Sequence, residues 1–315
     1  MKKKYSYDLK NKRVWVAGHN GMVGKAILER LKKENCTILS VDKKELDLTN
    51  QAKTYNWIKR RAPQVVFLAA AKVGGILANQ SNQTDFLYQN LMIQNNVIKS
   101  SAECSVEKLI FLGSSCIYPK ESIQPIPETE ILKSSLEKTN EGYALAKIAG
   151  LKLCSYLYKE HKKDFITVMP TNLYGPNDNF NLTTSHVLAA LVNKIVTAKL
   201  EKKDSIEIWG TGKPRREFLY VKDLADAICF IAKYYSNENA INVGTSEDIS
   251  IKELAKMISK IVGWKGSFVF NKNMPDGTML KRLNTLKIKN LGWQAKVDME
   301  TGIKQTILGF ENSLK

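Results

Sequence analysis

Short apolar runs alternate along the first half of the chain with stretches in which apolar positions recur every three to four residues. The first run, Arg13-Val14-Trp15-Val16-Ala17, is followed by glycines and then by Val23, Ala26, Ile27 and Leu31 at helical spacing, which predicts strand, turn and helix. The run at 37–41 ends at Asp42, and runs at 65–69 and 108–112 return after further helical stretches. A helix near 141–160 and a strand at 165–169 continue the series. A strand covered on both faces reads as a continuous apolar run, and parallel neighbours need helical crossovers. The pattern therefore predicts an α/β fold built on a doubly wound parallel sheet.

Beyond residue 174 the pattern changes. Pro176, Asn177, Asp178, Asn179 and Asn181 crowd together, a helix follows at 187–199, and Gly210-Thr211-Gly212-Lys213-Pro214 breaks the chain again. Such composition suits loops around a ligand. The expected division is a dinucleotide-binding domain over 1–174, with 217–244 returning to it, and a smaller C-terminal substrate-binding domain over 175–216 and 245–315. A chain of 315 residues can bury about 75% of its unfolded surface, enough for two adjoining cores and a deep cleft.

Composition narrows the function classes. With 43% hydrophobic and 25% charged residues, neither disorder nor a disulfide-stapled scaffold fits. The net charge is +17, but seven of the 48 cations are Arg and the Lys are scattered, as at Lys32, Lys33, Lys202 and Lys203. That distribution reads as solvated surface that favours an anionic small ligand, with no nucleic-acid or membrane partner expected. The five cysteines form no Cys-x-x-Cys pair, and His19, His161 and His186 stand apart, so no metal site is expected and the thiols read as reduced. Without an apolar leader or a long apolar stretch, the expected location is the cytoplasm.

Two motifs carry chemistry. Gly18-His19-Asn20-Gly21-Met22-Val23-Gly24 lies between the first strand and first helix, where bare backbone and a helix N-terminus can receive a pyrophosphate. Its Gly-x-x-Gly-x-x-Gly spacing also makes ordinary tight turns, and the strand-to-helix setting favours the dinucleotide reading. Tyr143-Ala144-Leu145-Ala146-Lys147 puts a phenol and an ammonium one helical turn apart. A Lys cation there is expected to lower the phenol pKa, so that the phenol can protonate a carbonyl as hydride arrives. Ser114 lies past a predicted parallel strand, at the edge where such sheets bind ligands.

The glycine motif, a strand-end Ser and Tyr-x-x-x-Lys, in that order, resemble the extended short-chain dehydrogenase/reductases from about residue 12 onward. Four further words narrow the resemblance: residues 69–76 (AAAKVGGI), 112–119 (LGSSCIYP), 169–176 (MPTNLYGP) and 275–278 (PDGT). These are similar to the branch that epimerises and reduces GDP-4-keto-6-deoxy-D-mannose. The resemblance implies a Rossmann-type domain, a homodimer, and NADPH-dependent 3,5-epimerisation and C4 reduction giving GDP-L-fucose. An alternative is C4 reduction alone, on a related GDP-4-keto-6-deoxy sugar such as a heptose.

By the same resemblance, Ser114, Tyr143 and Lys147 form the reductase triad, with Cys116 and His186 added as epimerisation base and acid. The cofactor positions are Gly18, Asn20, Gly21, Met22, Val23, Gly24, Lys43, Asp47, Leu48, Ala69, Ala71, Asn90, Pro170, Asn172 and Leu173, with Lys147 and His186. The nucleotide-sugar positions are Ser115, Asn172, Lys194, Trp209, Arg216, Asp276 and Lys281. Lys194 stands where Arg is usual, giving a point charge in place of a fork. NADP(H) is favoured over NAD(H) because Lys43 and Lys44 can meet a 2′-phosphate, although Asp42 beside them could instead hold a free ribose hydroxyl.

Overall fold

The computed structural model describes residues 6–274 and 276–314. The first half runs β1 (Arg13–Ala17), α1 (Met22–Leu31), β2 (Thr37–Leu39), α2 (Gln51–Arg61), β3 (Val65–Leu68), α3 (Ile76–Ser81), α4 (Gln83–Glu103), β4 (Lys108–Leu112), α5 (Glu141–His161) and β5 (Asp164–Pro170). The second half runs β6 (Asn172–Tyr174), α6 (Val187–Leu200), β7 (Ser205–Trp209), β8 (Arg215–Tyr220), α7 (Val221–Tyr234), β9 (Ile241–Val243), β10 (Asp248–Ser250), α8 (Ile251–Val262), β11 (Ser267–Asn271), β12 (Leu280–Lys281), α9 (Leu286–Leu291) and α10 (Met299–Ser313).

The central sheet has the order β2-β1-β3-β4-β5-β9 and is parallel throughout. From β1 the chain moves outward to β2 and then crosses back to β3 on the other side. This reversal opens a crevice at the carboxyl ends of β1 and β3. The strands are mostly apolar, with Arg13, Lys108 and Asp164 at the first positions of β1, β4 and β5, yet alternate residues serve different layers. Val14, Val16, Val65, Phe67, Ile110 and Leu112 join the core beneath α1 and α7. Trp15, Ala17, Val66, Leu68, Leu109 and Phe111 join the core beneath α2, α4 and α5. The strand β2 stops at Leu39, short of the predicted 41, because it has a single neighbour and its first residue is exposed.

A second core joins α6, α8 and α10 to β7 and β8. The strand β8 belongs to both bodies: Phe218 and Tyr220 face the second core, and Leu219 faces the first. It pairs with β6 in parallel and with β10 antiparallel, outside the six-stranded sheet. Ile288 and Trp293, although late in the chain, pack into the first core. Among the described residues no helix is long and apolar enough to cross a membrane.

Candidate active site

The three glycines of the first turn have different surroundings. Gly18 has φ +89°, and a Cβ there would lie 2.6 Å from the Ala70 nitrogen. A Cβ on Gly24 would lie 2.1 Å from the Gly18 carbonyl oxygen. Gly21 differs: a Cβ would meet only that carbonyl oxygen, at 3.6 Å, so its outer side is open. Gly21 also caps α1, whose first turn has neither a side-chain cap nor an acidic residue. Unpaired N–H groups, a positive helix end and an open glycine face fit a dinucleotide pyrophosphate. Met22 and Val23 turn toward the first core and fix the start of α1.

Around this cradle, Asn20 Nδ2 donates to Asp42 Oδ1 at 2.5 Å, and His19 Nε2 lies 3.5 Å from the same oxygen. Lys43 and Lys44 are exposed. Asp47 Oδ1 accepts from the Thr49 N–H and hydroxyl, bonds that hold the Asp47 carboxyl below the usual range. Leu48 packs on the second layer of the sheet, and its carbonyl accepts from Asn96 Nδ2. Ala69 N–H donates to the Ala17 carbonyl, and Ala71 follows on the same half-buried edge. Asn90, buried in α4, bonds to backbone. Its Oδ1 accepts from Lys72 N–H and its Nδ2 donates to the carbonyls of Lys72 and Phe86, so the side chain braces the 69–75 segment.

The helix α5 brings Tyr143 and Lys147 to the end of β4. Lys147 Nζ donates to the Leu112 carbonyl at 2.8 Å, lies 4.8 Å from the Phe111 ring centroid and 5.7 Å from that of Tyr143. Burial lowers its pKa to about 7. Tyr143 shares a hydrogen bond with Ser114, and burial pushes its phenol well above the ordinary range. The expected lowering by Lys147 is not realised here: the ammonium is aimed at a backbone carbonyl and is itself disfavoured by burial, so desolvation of the phenol wins. Ser114 Oγ also accepts from Cys116 N–H at 3.2 Å. Cys116 is half-buried and lies near enough to Tyr143 and Arg216 for a thiolate to act electrostatically on both. Ser115 is 3% exposed, inside the 3-10 turn.

His186 immediately precedes α6 and is exposed. Its loop is tied to the cofactor side, because Gly75 N–H donates to the Thr184 carbonyl at 2.8 Å. On the substrate side, Lys194 Nζ donates to the Glu207 carbonyl and lies 5.3 Å from the ring centroid of the part-exposed Trp209. Arg216 and Lys281 are register partners across β8 and β12, which sets two cations side by side. Asp276 does not present a free carboxylate: it accepts from Thr211 N–H at 2.7 Å and the Thr211 hydroxyl at 2.8 Å, tying together the loops that flank Arg216. Pro170 ends β5, Leu173 packs against the first core, and Asn172 Nδ2 donates to the Glu217 carbonyl.

Glu217 was not among the expected site residues. It is buried, which raises its pKa, and its carboxylate accepts from the N–H groups of Ser246 and Leu283. It therefore fixes the strand that carries Arg216. A lone carboxylate heading the otherwise apolar Phe218-Leu219-Tyr220 was the available signal.

Residues 14–244 match the model of the NAD dependent epimerase/dehydratase family. A GDP-L-fucose synthase of Sinorhizobium fredii (strain NBRC 101917 / NGR234) is 47% identical over 308 residues, 98% of each chain. Among solved structures, a GDP-6-OMe-4-keto-L-xylo-heptose reductase from C. jejuni is 35% identical, with a TM-score of 0.92 over 98% of this chain and 99% of that one. A GDP-L-fucose synthetase from Naegleria fowleri bound to NADP is 28% identical, with a TM-score of 0.89 over 99% of this chain and 98% of that one.

Proposed function

This chain belongs to the NAD dependent epimerase/dehydratase family, and from that membership we propose that it converts GDP-4-keto-6-deoxy-D-mannose to GDP-L-fucose by 3,5-epimerisation and NADPH-dependent C4 reduction. The observation that carries the mechanism is the sharing of Ser114 between two reactive groups. Its hydroxyl is bonded to the Tyr143 phenol on one side and to the Cys116 backbone on the other. One sugar can therefore meet a proton donor and a thiol without moving far.

The C4 ketone acidifies the hydrogens on C3 and C5. Cys116, as thiolate, removes one of them, and the charge that moves to O4 is stabilised by the hydroxyls of Ser114 and Tyr143. His186 returns a proton to the opposite face of the carbon. The glycine cradle, with Asn172 and Leu173 past β5, would hold the dinucleotide, which when bound would supply hydride to C4. Tyr143 then gives its proton to O4; burial has kept that proton on the phenol until it is needed. Arg216, Lys281 and Lys194 offer cations to the diphosphate, and Trp209 offers a flat apolar face. The first core holds the cofactor and the second holds the GDP-sugar.

Incubation with the keto sugar in heavy water, before NADPH is added, tests this. Deuterium should enter C3 and C5; its absence, with C4 reduction retained, would favour the second reading. That reading is reduction of a related keto-heptose without epimerisation, and the close structural match to a heptose reductase supports it. We further infer a homodimer packed through α4 and α5, whose outer faces expose Tyr88 (61%), Leu145 (44%) and Tyr156 (50%). Sedimentation at about micromolar concentration, in the regime where stable interfaces persist, should give twice the chain mass. Five unpaired thiols suit a reducing cytoplasm.

A further inference from the structure

In a Rossmann-type sheet an acidic residue past the second strand meets the adenosine ribose, and here Asp42 stands three residues beyond the end of β2. Asp42 follows that strand, lies across from the glycine turn, and is held there by the Asn20 amide at 2.5 Å. His19 approaches the same oxygen. The carboxylate therefore lies beside the glycine turn and remains largely open to solvent. A carboxylate in this position accepts hydrogen bonds from the hydroxyls of an unmodified ribose and repels a phosphate dianion.

The cations available to offset that repulsion are limited. Lys43 and Lys44 are exposed point charges on flexible stems, without the fixed fork of a guanidinium. Arg30 is the sole arginine between Gly18 and Asp47, and its guanidinium is already engaged by Asp226 and Glu34. Asn20, in the glycine turn, is neutral and its amide is already bonded to Asp42. One carboxylate and two mobile ammoniums therefore face either form of the cofactor.

We propose that Asp42, oriented by Asn20, sets cofactor selectivity in this protein and keeps it low, so that NAD(H) binds alongside NADP(H) with a preference for the phosphate form of less than about tenfold. Asn20 acts through Asp42 and is a positioning residue. The proposal rests on the reading above only in requiring that a nicotinamide dinucleotide occupies the cradle; it does not depend on which sugar is reduced or whether it is epimerised.

Equilibrium binding tests it without turnover. Dissociation constants for NADPH and NADH are measured by calorimetry on the full chain in the absence of sugar, for the wild type, Asp42→Ser and Asn20→Arg. Both cofactors should bind the wild type within about tenfold of each other. Asp42→Ser should weaken NADH by about tenfold and tighten NADPH, and Asn20→Arg should tighten NADPH more than NADH. Circular dichroism and the melting temperature check that these exposed substitutions leave the fold intact. A wild-type ratio above about tenfold, or a ratio that Asp42→Ser leaves in place, overturns the proposal while leaving the sugar chemistry standing. If neither dinucleotide binds, both readings fall; if both bind as expected and no keto sugar is turned over, only the functional reading falls.

Discussion

Burial sets the protonation of Tyr143 and Lys147 before any ligand arrives. Lys147 has a pKa of about 7 in the folded protein against 10.5 when free. Between those values the unfolded chain holds a proton that the native state has released, so raising the pH through this window favours folding. The penalty is fully present below about 7 and relieved toward 10.5. Lys147→Met should remove that rise, and urea titrations at pH values on either side of the window should show the flatter dependence relative to wild type. Cys116→Ser should suppress deuterium exchange at C3 and C5 by about a hundredfold or more, since a hydroxyl is far less acidic than a thiol, while NADPH oxidation continues on the unepimerised ketone. Tyr143→Phe should slow C4 reduction by about a hundredfold or more, while exchange, for which Ser114 still stabilises the charge at O4, falls less. Glu217→Gln should cost about 2 kcal/mol in chemical denaturation, because the buried amide can accept at one oxygen where the carboxylate uses two.

At the scale of the element, the glycine turn separates folding from binding. Gly18 and Gly24 are glycine because backbone lies where a Cβ would be, so Gly24→Ala should lower the melting temperature and weaken the cofactor together. Gly21→Ala should differ. Its backbone at φ −74° suits any residue and the space beside it is open, so the melting temperature should stay near wild type while NADPH affinity falls at least about tenfold. Equal loss of stability in both variants would mean that the open face of Gly21 is packing space and not a ligand surface. The strand-turn-helix unit was legible from the sequence, because glycine spacing between an apolar run and a helical stripe reports local geometry. Local spacing does not reveal which glycine faces a neighbour and which faces open space; Ala70 lies on another strand's exit and meets Gly18 only in the assembled sheet.

Across the whole molecule, β8 couples the two cores through alternate side chains. On the proposed placement, cofactor and GDP-sugar grip bodies that share one strand, and each ligand should stabilise both. At a hundred times its dissociation constant, either NADPH or GDP should add about 2.7 kcal/mol, seen as a single shifted thermal transition. Two transitions, with one unmoved by ligand, would show that β8 does not join the bodies.

The sequence by itself determined the parallel sheet, its glycine turn, the Tyr143–Lys147 pair and the proximity of Ser114 to Cys116, because each is written in spacing over a few residues. Only the tertiary structure decided what those groups touch. Asn90 braces a loop, Asp276 ties Thr211, Ser115 is buried, and Glu217 anchors two distant backbone segments. For Asn90, Asp276 and Glu217 the partners include segments remote in the chain, and a hydrogen-bonding side chain cannot declare from its own neighbours whether water, backbone or ligand will satisfy it. The same holds for charge. Tyr143 and Lys147 are one turn apart by spacing, but the burial that raises one pKa and lowers the other comes from β4, α4 and the cleft wall packed around them.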